Sequence, residues 1–134
     1  MRWSPILYCG ALHPLFGLPD AALTPPLLAA QAFAGRSYMQ RVPICGVDVG
    51  WQAATPHMEG TLILLLSGAY IGFLPDHYAT AEVERGRLRA LAPDRMSFDD
   101  LFQIVHARQS PSRAAQALVQ AIIDNCHDGS RASQ

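Results

Sequence analysis

The chain has 134 residues, half of them hydrophobic, with ten basic and eleven acidic side chains that leave a formal charge of −1. That length suits one compact domain with a filled core, and the near-neutral charge excludes a whole-chain field drawing it to nucleic acid or anionic lipid. Every basic residue is an arginine, a pattern that genomic composition bias accounts for. The one local cluster, Arg85, Arg87 and Arg89, reads as a solvated face on a helix end and an edge strand.

Cys9, Cys45 and Cys126 show neither a CxxC spacing nor an even-numbered framework, which points to a reduced, cytoplasmic setting. The N-terminus runs from Trp3 into Pro5 and a short apolar run, so no signal peptide is expected. Residues 62–66 fall far short of the ~20 apolar residues that cross a bilayer. The sequence reads as a soluble protein without a membrane partner.

Residues 5–9 are apolar on both faces and predict a central strand. Residues 10–20 form a breaker-rich loop. Thr24-Pro25-Pro26 opens a helix that runs from Leu27 to about Ala34, with Gly35 as its stop. Residues 37–39 suit a short strand, 41–45 a loop around Pro43, and 47–53 an alternating, half-exposed strand.

Residues 55–78 carry the strongest local signals. Thr55-Pro56 offers a hydroxyl cap and a first-turn proline for an apolar helix over residues 58–67, and Gly68 stands where a left-handed terminal residue is needed. Residues 71–74 suit a short buried strand, and Asp76 caps a second helix that Gly86 ends. Residues 86–91 alternate arginine with apolar side chains, as an edge strand would. Residues 101–107 give the last strand. Ser110-Pro111 then opens an amphipathic helix with Ala115, Leu118, Val119, Ile122 and Cys126 on one face, and the polar residues 127–134 read as a disordered tail. Strands alternating with helices predict an α/β domain with a mainly parallel sheet and helices on both faces. Two wide apolar helix faces exceed what these few elements can cover. Either the arrangement is very tight or part of the core comes from elsewhere.

No catalytic constellation emerges. The histidines at 13, 57, 77, 106 and 127 are dispersed, with no metal-ligand spacing, and His13 and His77 each adjoin a proline turn, where structural roles are expected. Ser67 and Ser110 sit at helix boundaries where a hydroxyl caps; GxSxG is absent. Asp99 and Asp100 are adjacent, so their side chains diverge in a strand. Phosphate-cradling glycine loops are absent. Cys9 and Cys45 are expected to be inert thiols rather than a redox pair. The segment Gly35-Arg36-Ser37-Tyr38-Met39 differs. It sets a guanidinium, a hydroxyl and a phenol at the carboxyl-side edge of a sheet, where open α/β sheets bind small ligands, and Arg36 can pair bidentately with a carboxylate. A surface arginine beside a packing tyrosine is the competing reading.

Tyr8-Cys-Gly-Ala-Leu-His-Pro-Leu-Phe16, Gly35-Arg-Ser-Tyr38 and Leu66-Ser-Gly-Ala-Tyr-Ile-Gly-Phe-Leu-Pro-Asp-His-Tyr78 resemble the effector-binding domain of LysR-type transcriptional regulators. The resemblance covers about residues 5 to 126 and continues through Gly86-Arg-Leu and Ile104-Val-His-Ala-Arg108. It implies a type II periplasmic-binding-protein-like fold with a small molecule between two lobes, and homo-oligomers that bind DNA through an N-terminal helix-turn-helix domain not encoded here. On this reading residues 3–100 are the second lobe. Residues 101–126 supply the crossing strand and C-terminal helix of an incomplete first lobe, and 127–134 a tail.

Carried over by position, Arg36, Ser37, Tyr38 and Met39 face the effector, an anionic small molecule bound weakly by the fragment; Thr55 and His57 lie near the cleft. The resemblance implies no enzyme activity, and the reading includes no cofactor and no metal. The competing expectations are a small cytoplasmic α/β thiol enzyme and a ligand-free interaction module.

Overall fold

The computed structural model describes residues 4–38, 43–99, 103–105 and 112–128. They divide into two units, residues 4–98 and the described residues from 99 onward.

The first unit is built on β1 (Pro5–Gly10), β2 (Phe33–Arg36), β3 (Trp51–Thr55), β4 (Ile71–Pro75) and β5 (Leu88–Ala90), ordered β3-β2-β4-β1-β5. β2 pairs in parallel with β3 and β4, whereas β1 pairs antiparallel with β4 and β5. Four strands therefore run one way and β1 runs against them, a mixed sheet that is parallel in its β3-β2-β4 half. As its apolar run predicts, β1 is interior to the sheet. Leu7 and Cys9 enter one buried cluster with Leu28, Phe33 and Ile71, while Tyr8 enters the other with Leu65, Leu74 and Leu88. Alternate side chains of a strand serve opposite faces, so a strand covered on both must be apolar throughout.

Helix α1 (Pro25–Ala29) is shorter than expected and stops before residues 33 and 34. Phe33 and Ala34 are buried in β2 instead, and the Gln31 amide turns back to the Leu27 carbonyl at 2.9 Å, closing the helix end. Burial in the sheet outweighs helix propensity here. Gly35 is accordingly a strand residue, not a helix stop. The short strand expected over residues 37–39 is not formed by Ser37 and Tyr38, which lie in the turn after β2; Met39 is outside the described residues.

The alternation over residues 47–53 is real but mislocates the strand. Val47 and Val49 are buried without joining a ladder, since Cys45 (φ 51°) and Gly46 (φ 76°) turn the chain back in a tight hairpin between Ile44 and Val47. β3 begins only at Trp51. Its register against β2 shifts at Phe33/Ala34, and the Gln52 side chain accepts the Phe33 N–H at 2.7 Å.

Helix α2 (Met58–Leu66) starts with His57 at the N-cap, so Thr55 and Pro56 precede it rather than cap it. Gly68 adopts φ 77° at its end, the left-handed geometry the sequence called for. Helix α3 (Asp76–Glu84) has Pro75 at its N-cap, so Asp76 is its first residue rather than its cap; the Asp76 carboxylate accepts the His77 N–H at 2.7 Å, and Gly86 (φ 70°) ends the helix. β5 lies at the edge of the sheet, as expected.

Of the arginines around β5, Arg85 and Arg87 are exposed, as a solvated face requires, whereas Arg89 is only 25% exposed. Arg85 and Arg87 pair with Glu82 at 2.9 and 2.5 Å, and these contacts, led by the Arg87 hydrogen bond, hold the Glu82 carboxyl below its usual range. Arg89 donates to the carbonyls of Leu15 (3.1 Å), Phe16 (2.7 Å) and Leu18, and to the Asp20 carboxylate (2.6 Å). It thereby pins the loop that follows β1.

In the second unit, α4 (Arg113–Asp128) is opened by Ser112, whose hydroxyl accepts the Ala115 N–H at 3.2 Å. Ser110 and Pro111 lie outside the described residues. Of the strand expected over 101–107, the described residues 103–105 form neither helix nor strand, and the rest are outside. His127 and Asp128 belong to α4 rather than to a tail. Ala115 and Val119 are half-buried, while Leu118 and Ile122 are exposed. Among the described residues, no helix is long and apolar enough to cross a membrane.

Candidate functional site

The parallel half of the sheet sets the site. β2, β3 and β4 run the same way, so their carboxyl ends and the starts of α2 and α3 gather along one edge. Ligands of open α/β sheets bind outside that edge. Parallel pairing brings Arg36 opposite Thr55, and the Ser37 N–H extends the ladder to the Thr55 carbonyl at 3.1 Å.

Arg36 is the chemically distinctive group. Its Nη1 donates to the Tyr38 hydroxyl at 2.9 Å, and its guanidinium carbon stands 6.0 Å from the Tyr38 ring centroid. Arg36 Nε is sealed from solvent and has no hydrogen-bond partner among the described residues. A buried guanidinium N–H without an acceptor costs free energy. Arg36 lines a shallow, largely apolar pocket with Phe33, Ile44, Trp51, Thr61 and Phe73. The guanidinium also lies within electrostatic reach of Tyr78. Burial, and then the Glu59 carboxylate, push the Tyr78 phenol up, and Arg36 opposes them.

The remaining sequence candidates have different standing. Thr55 Oγ1 donates to the His57 carbonyl at 2.8 Å and lies 3.2 Å from Thr61 Oγ1, so its hydroxyl ties β3 to α2. His57 is exposed at the N-cap of α2, and Ser37 and Tyr38 are exposed beside Arg36. Met39 lies outside the described residues. Sequence reading missed Ile44, Trp51 and Phe73, which wall the pocket, and Glu59 and Tyr78. Trp51 had a usable signal: a large aromatic in an alternating strand next to the segment that bears Arg36. Phe73 had none, because a buried strand of four apolar residues does not reveal which one faces a cavity. Among the described residues no group of acidic, histidine and cysteine side chains is placed to hold a metal.

Comparison with known proteins agrees with this architecture. The LysR substrate binding domain family matches residues 1–127. The HTH-type transcriptional activator BauR of Pseudomonas aeruginosa is 33% identical over 122 residues, which are 87% of this chain and 39% of BauR. Among solved structures, CrgA, a LysR-type transcriptional regulator from Neisseria meningitidis, superposes with a TM-score of 0.59 at 15% identity over 74% of this chain and 37% of CrgA. The regulatory domain of a HypT mutant from Salmonella typhimurium does so with a TM-score of 0.56 at 16% identity over 90% of this chain and 72% of that one. This chain thus spans about two fifths of the length of the curated relative it matches, and the two structural likenesses speak for the fold, that of a LysR effector-binding domain of the type II periplasmic-binding-protein-like kind. With the family matched over nearly the whole sequence, the chain belongs to the LysR substrate-binding domains, the regulatory part of LysR-type transcription factors.

Proposed function

We propose that this chain is the sensing lobe of a transcription factor, non-enzymatic, which takes a small anionic effector at the carboxyl edge of β2 and β3. The observation that carries the reading is Arg36 itself, which lines an apolar pocket and keeps a buried Nε without a hydrogen-bond partner among the described residues. Arg36 is the anion partner, Ser37 and Tyr38 supply hydroxyls beside it, His57 borders the site, and Thr55 holds the β3–α2 corner. Effector binding in the full-length regulator shifts a population of lobe arrangements, and the geometry of a homo-oligomer on DNA follows. DNA contact belongs to a separate helix-turn-helix domain, and the protein works in the cytoplasm.

Residues 3–100 serve as one lobe, and residues 101–126 belong to the other, to which they contribute a helix. The exposed Leu118 and Ile122 of α4 support this division, since large uncovered apolar patches are uncommon on monomers. The chain alone therefore self-associates through α4, which light scattering on wild type and Leu118→Ser/Ile122→Ser reads as an oligomer that the double substitution dissolves.

Thermal denaturation against a panel of small carboxylates tests the sensing role. A ligand held at about 100 times its dissociation constant raises stability by about 2.7 kcal/mol, and Arg36→Gln abolishes that gain. A carboxylate that stabilises Arg36→Gln as well as wild type places the site elsewhere.

A further inference from the structure

Met96, Ser97 and Phe98 are the last residues of the first unit, and none of its five strands includes them. They are nonetheless held against the start of β1. The Leu7 N–H donates to the Met96 carbonyl at 3.0 Å, Ser97 bridges Ile6, and the Phe98 N–H donates to the Pro5 carbonyl at 3.3 Å. Two further grips come from elsewhere in the unit. Cys45 Sγ donates to the Ser97 carbonyl at 3.4 Å, and the Phe73 and Phe98 rings meet edge to face with centroids 5.3 Å apart. Both grips start from one place: Ile44, joined to Cys45, and Phe73 are walls of the pocket that Arg36 lines. The turns involved are strained. Cys45 (φ 51°) and Ala92 (φ 45°) are the non-glycine residues with left-handed φ among the described residues, a conformation that persists only where the surroundings enforce it. Cys45 lies in the tight Ile44–Val47 hairpin, where asparagine or glycine is the usual choice, and the Ala92 carbonyl accepts the Arg95 and Met96 N–H groups at 2.9 and 2.8 Å. Both outliers lie where the chain bends to meet residues 96–98.

We propose that residues 96–98 form a latch on β1 that is coupled to the pocket walls. Ile44 acts on it through Cys45 and Phe73 acts on it through Phe98, so displacing either wall loosens the segment by which the chain leaves this unit. The grips are suited to release. A thiol is a weak donor and one aromatic pair contributes modestly, so the latch opens locally, well short of unfolding the sheet. In the sensing reading above, on which its meaning for regulation rests, the latch is the route by which a change at the pocket leaves the lobe.

The test is amide hydrogen exchange on the whole chain, read residue by residue by NMR, with each variant first checked for a cooperative melt. The reporters are the Leu7 and Phe98 N–H groups, which bond across the latch. The reference is the Ile71 N–H, bonded to the Ala32 carbonyl at 2.9 Å. Cys45→Ala, Ile44→Ala and Phe73→Leu each speed exchange at both reporters by about three- to tenfold, the range of one modest hydrogen bond, and leave Ile71 unchanged. Cys45→Ser, which keeps a donor, exchanges like wild type. In Cys45→Ala/Phe73→Leu the acceleration is smaller than the product of the two single effects, because either loss already frees the segment.

Unchanged exchange at Leu7 and Phe98 in Ile44→Ala and Phe73→Leu separates the pocket from the latch and overturns the proposal. Acceleration of Ile71 in the same proportion overturns it too, since the substitutions then loosen the whole unit. Cys45→Ser exchanging as fast as Cys45→Ala overturns the hairpin grip, and fully multiplicative effects in the double variant overturn the single latch. No ligand enters these measurements, so the latch fails or stands independently of the carboxylate panel that tests the sensing site.

Discussion

The six-membered ring of Trp51 lies against the α-carbon of Gly35, so close that a β-carbon added there would stand 2.2 Å from Trp51 Cδ2 and 2.6 Å from Cε2 and Cε3. A hydrogen at Gly35 is what lets the indole cross from β3 onto β2 and form the pocket wall next to Arg36. Gly35→Ala therefore displaces the indole and destabilises the chain by about 1–3 kcal/mol, the usual cost of overpacking, measured by urea denaturation. In a double-mutant cycle with Trp51→Ala, the two losses are less than additive, because removing the ring removes the clash. Strict additivity would mean that the ring does not rest on Gly35.

Arg89 holds the long segment after β1 in place. Three backbone carbonyls and the Asp20 carboxylate converge on its guanidinium, and its side chain is only 25% exposed. Arg89→Ala removes this donor from all four acceptors, of which, among the described residues, only the Leu15 carbonyl keeps another, the Leu18 N–H at 3.2 Å, and lowers stability by about 2–4 kcal/mol, as expected for hydrogen bonds to a partly buried charge. Arg89→Lys recovers a minor part, because an ammonium cannot reach several carbonyls in the fixed fork of a guanidinium. A loss below about 0.5 kcal/mol in Arg89→Ala, the level of an ordinary surface change, would return this arginine to the solvated face its alternation suggested.

His13 makes stability depend on pH. Its Nδ1 accepts the Leu15 N–H at 3.1 Å in a buried setting, and burial lowers its pKa below the ordinary 6.5. The unfolded chain therefore takes up this proton first as the pH falls. Stability is whole above about pH 6.5, declines below it at up to about 1.4 kcal/mol per pH unit, and levels off once the folded-state pKa is passed. Melting curves from pH 8 to pH 5 show this decline in wild type. His13→Asn, which retains an acceptor at the N-cap and does not titrate, flattens it. An identical decline in both proteins would assign the effect to another group.

The parts of the fold legible in the sequence were those governed by local rules. The apolar run of β1, the left-handed Gly68 and Gly86, and the short strand Ile71–Pro75 each declare themselves in a few residues. The misreadings came from competition with distant partners. Phe33 and Ala34 continue a helical pattern but are drawn into β2 by its neighbours β3 and β4, and the alternation of Val47 and Val49 reports burial rather than a place in the five-stranded sheet. Arg89 looks like a solvated strand residue because the carbonyls it serves lie about seventy positions earlier in the chain. At the candidate site, Arg36 was visible as a chemical type, but its unmet Nε and the Tyr38 contact exist only in three dimensions.

The thiols bear on the competing idea of a small thiol enzyme. Cys9 is fully buried in β1, and burial pushes its pKa up to about 11 even though the Arg89 charge pulls the other way. At pH 7.5 the thiolate is then on the order of one molecule in a few thousand. Cys45 is exposed, but its Sγ donates to the Ser97 carbonyl at 3.4 Å and desolvation raises its pKa as well. Neither thiol is set up as a nucleophile, because each environment favours the protonated form. Iodoacetamide at neutral pH, followed by peptide mass mapping, should therefore modify Cys45 slowly and Cys9 only on unfolding. Labelling of Cys9 in the folded chain at the rate of a free thiol, or faster, would mean that β1 opens or that a nearby base ionises it, and would restore the thiol reading to contention.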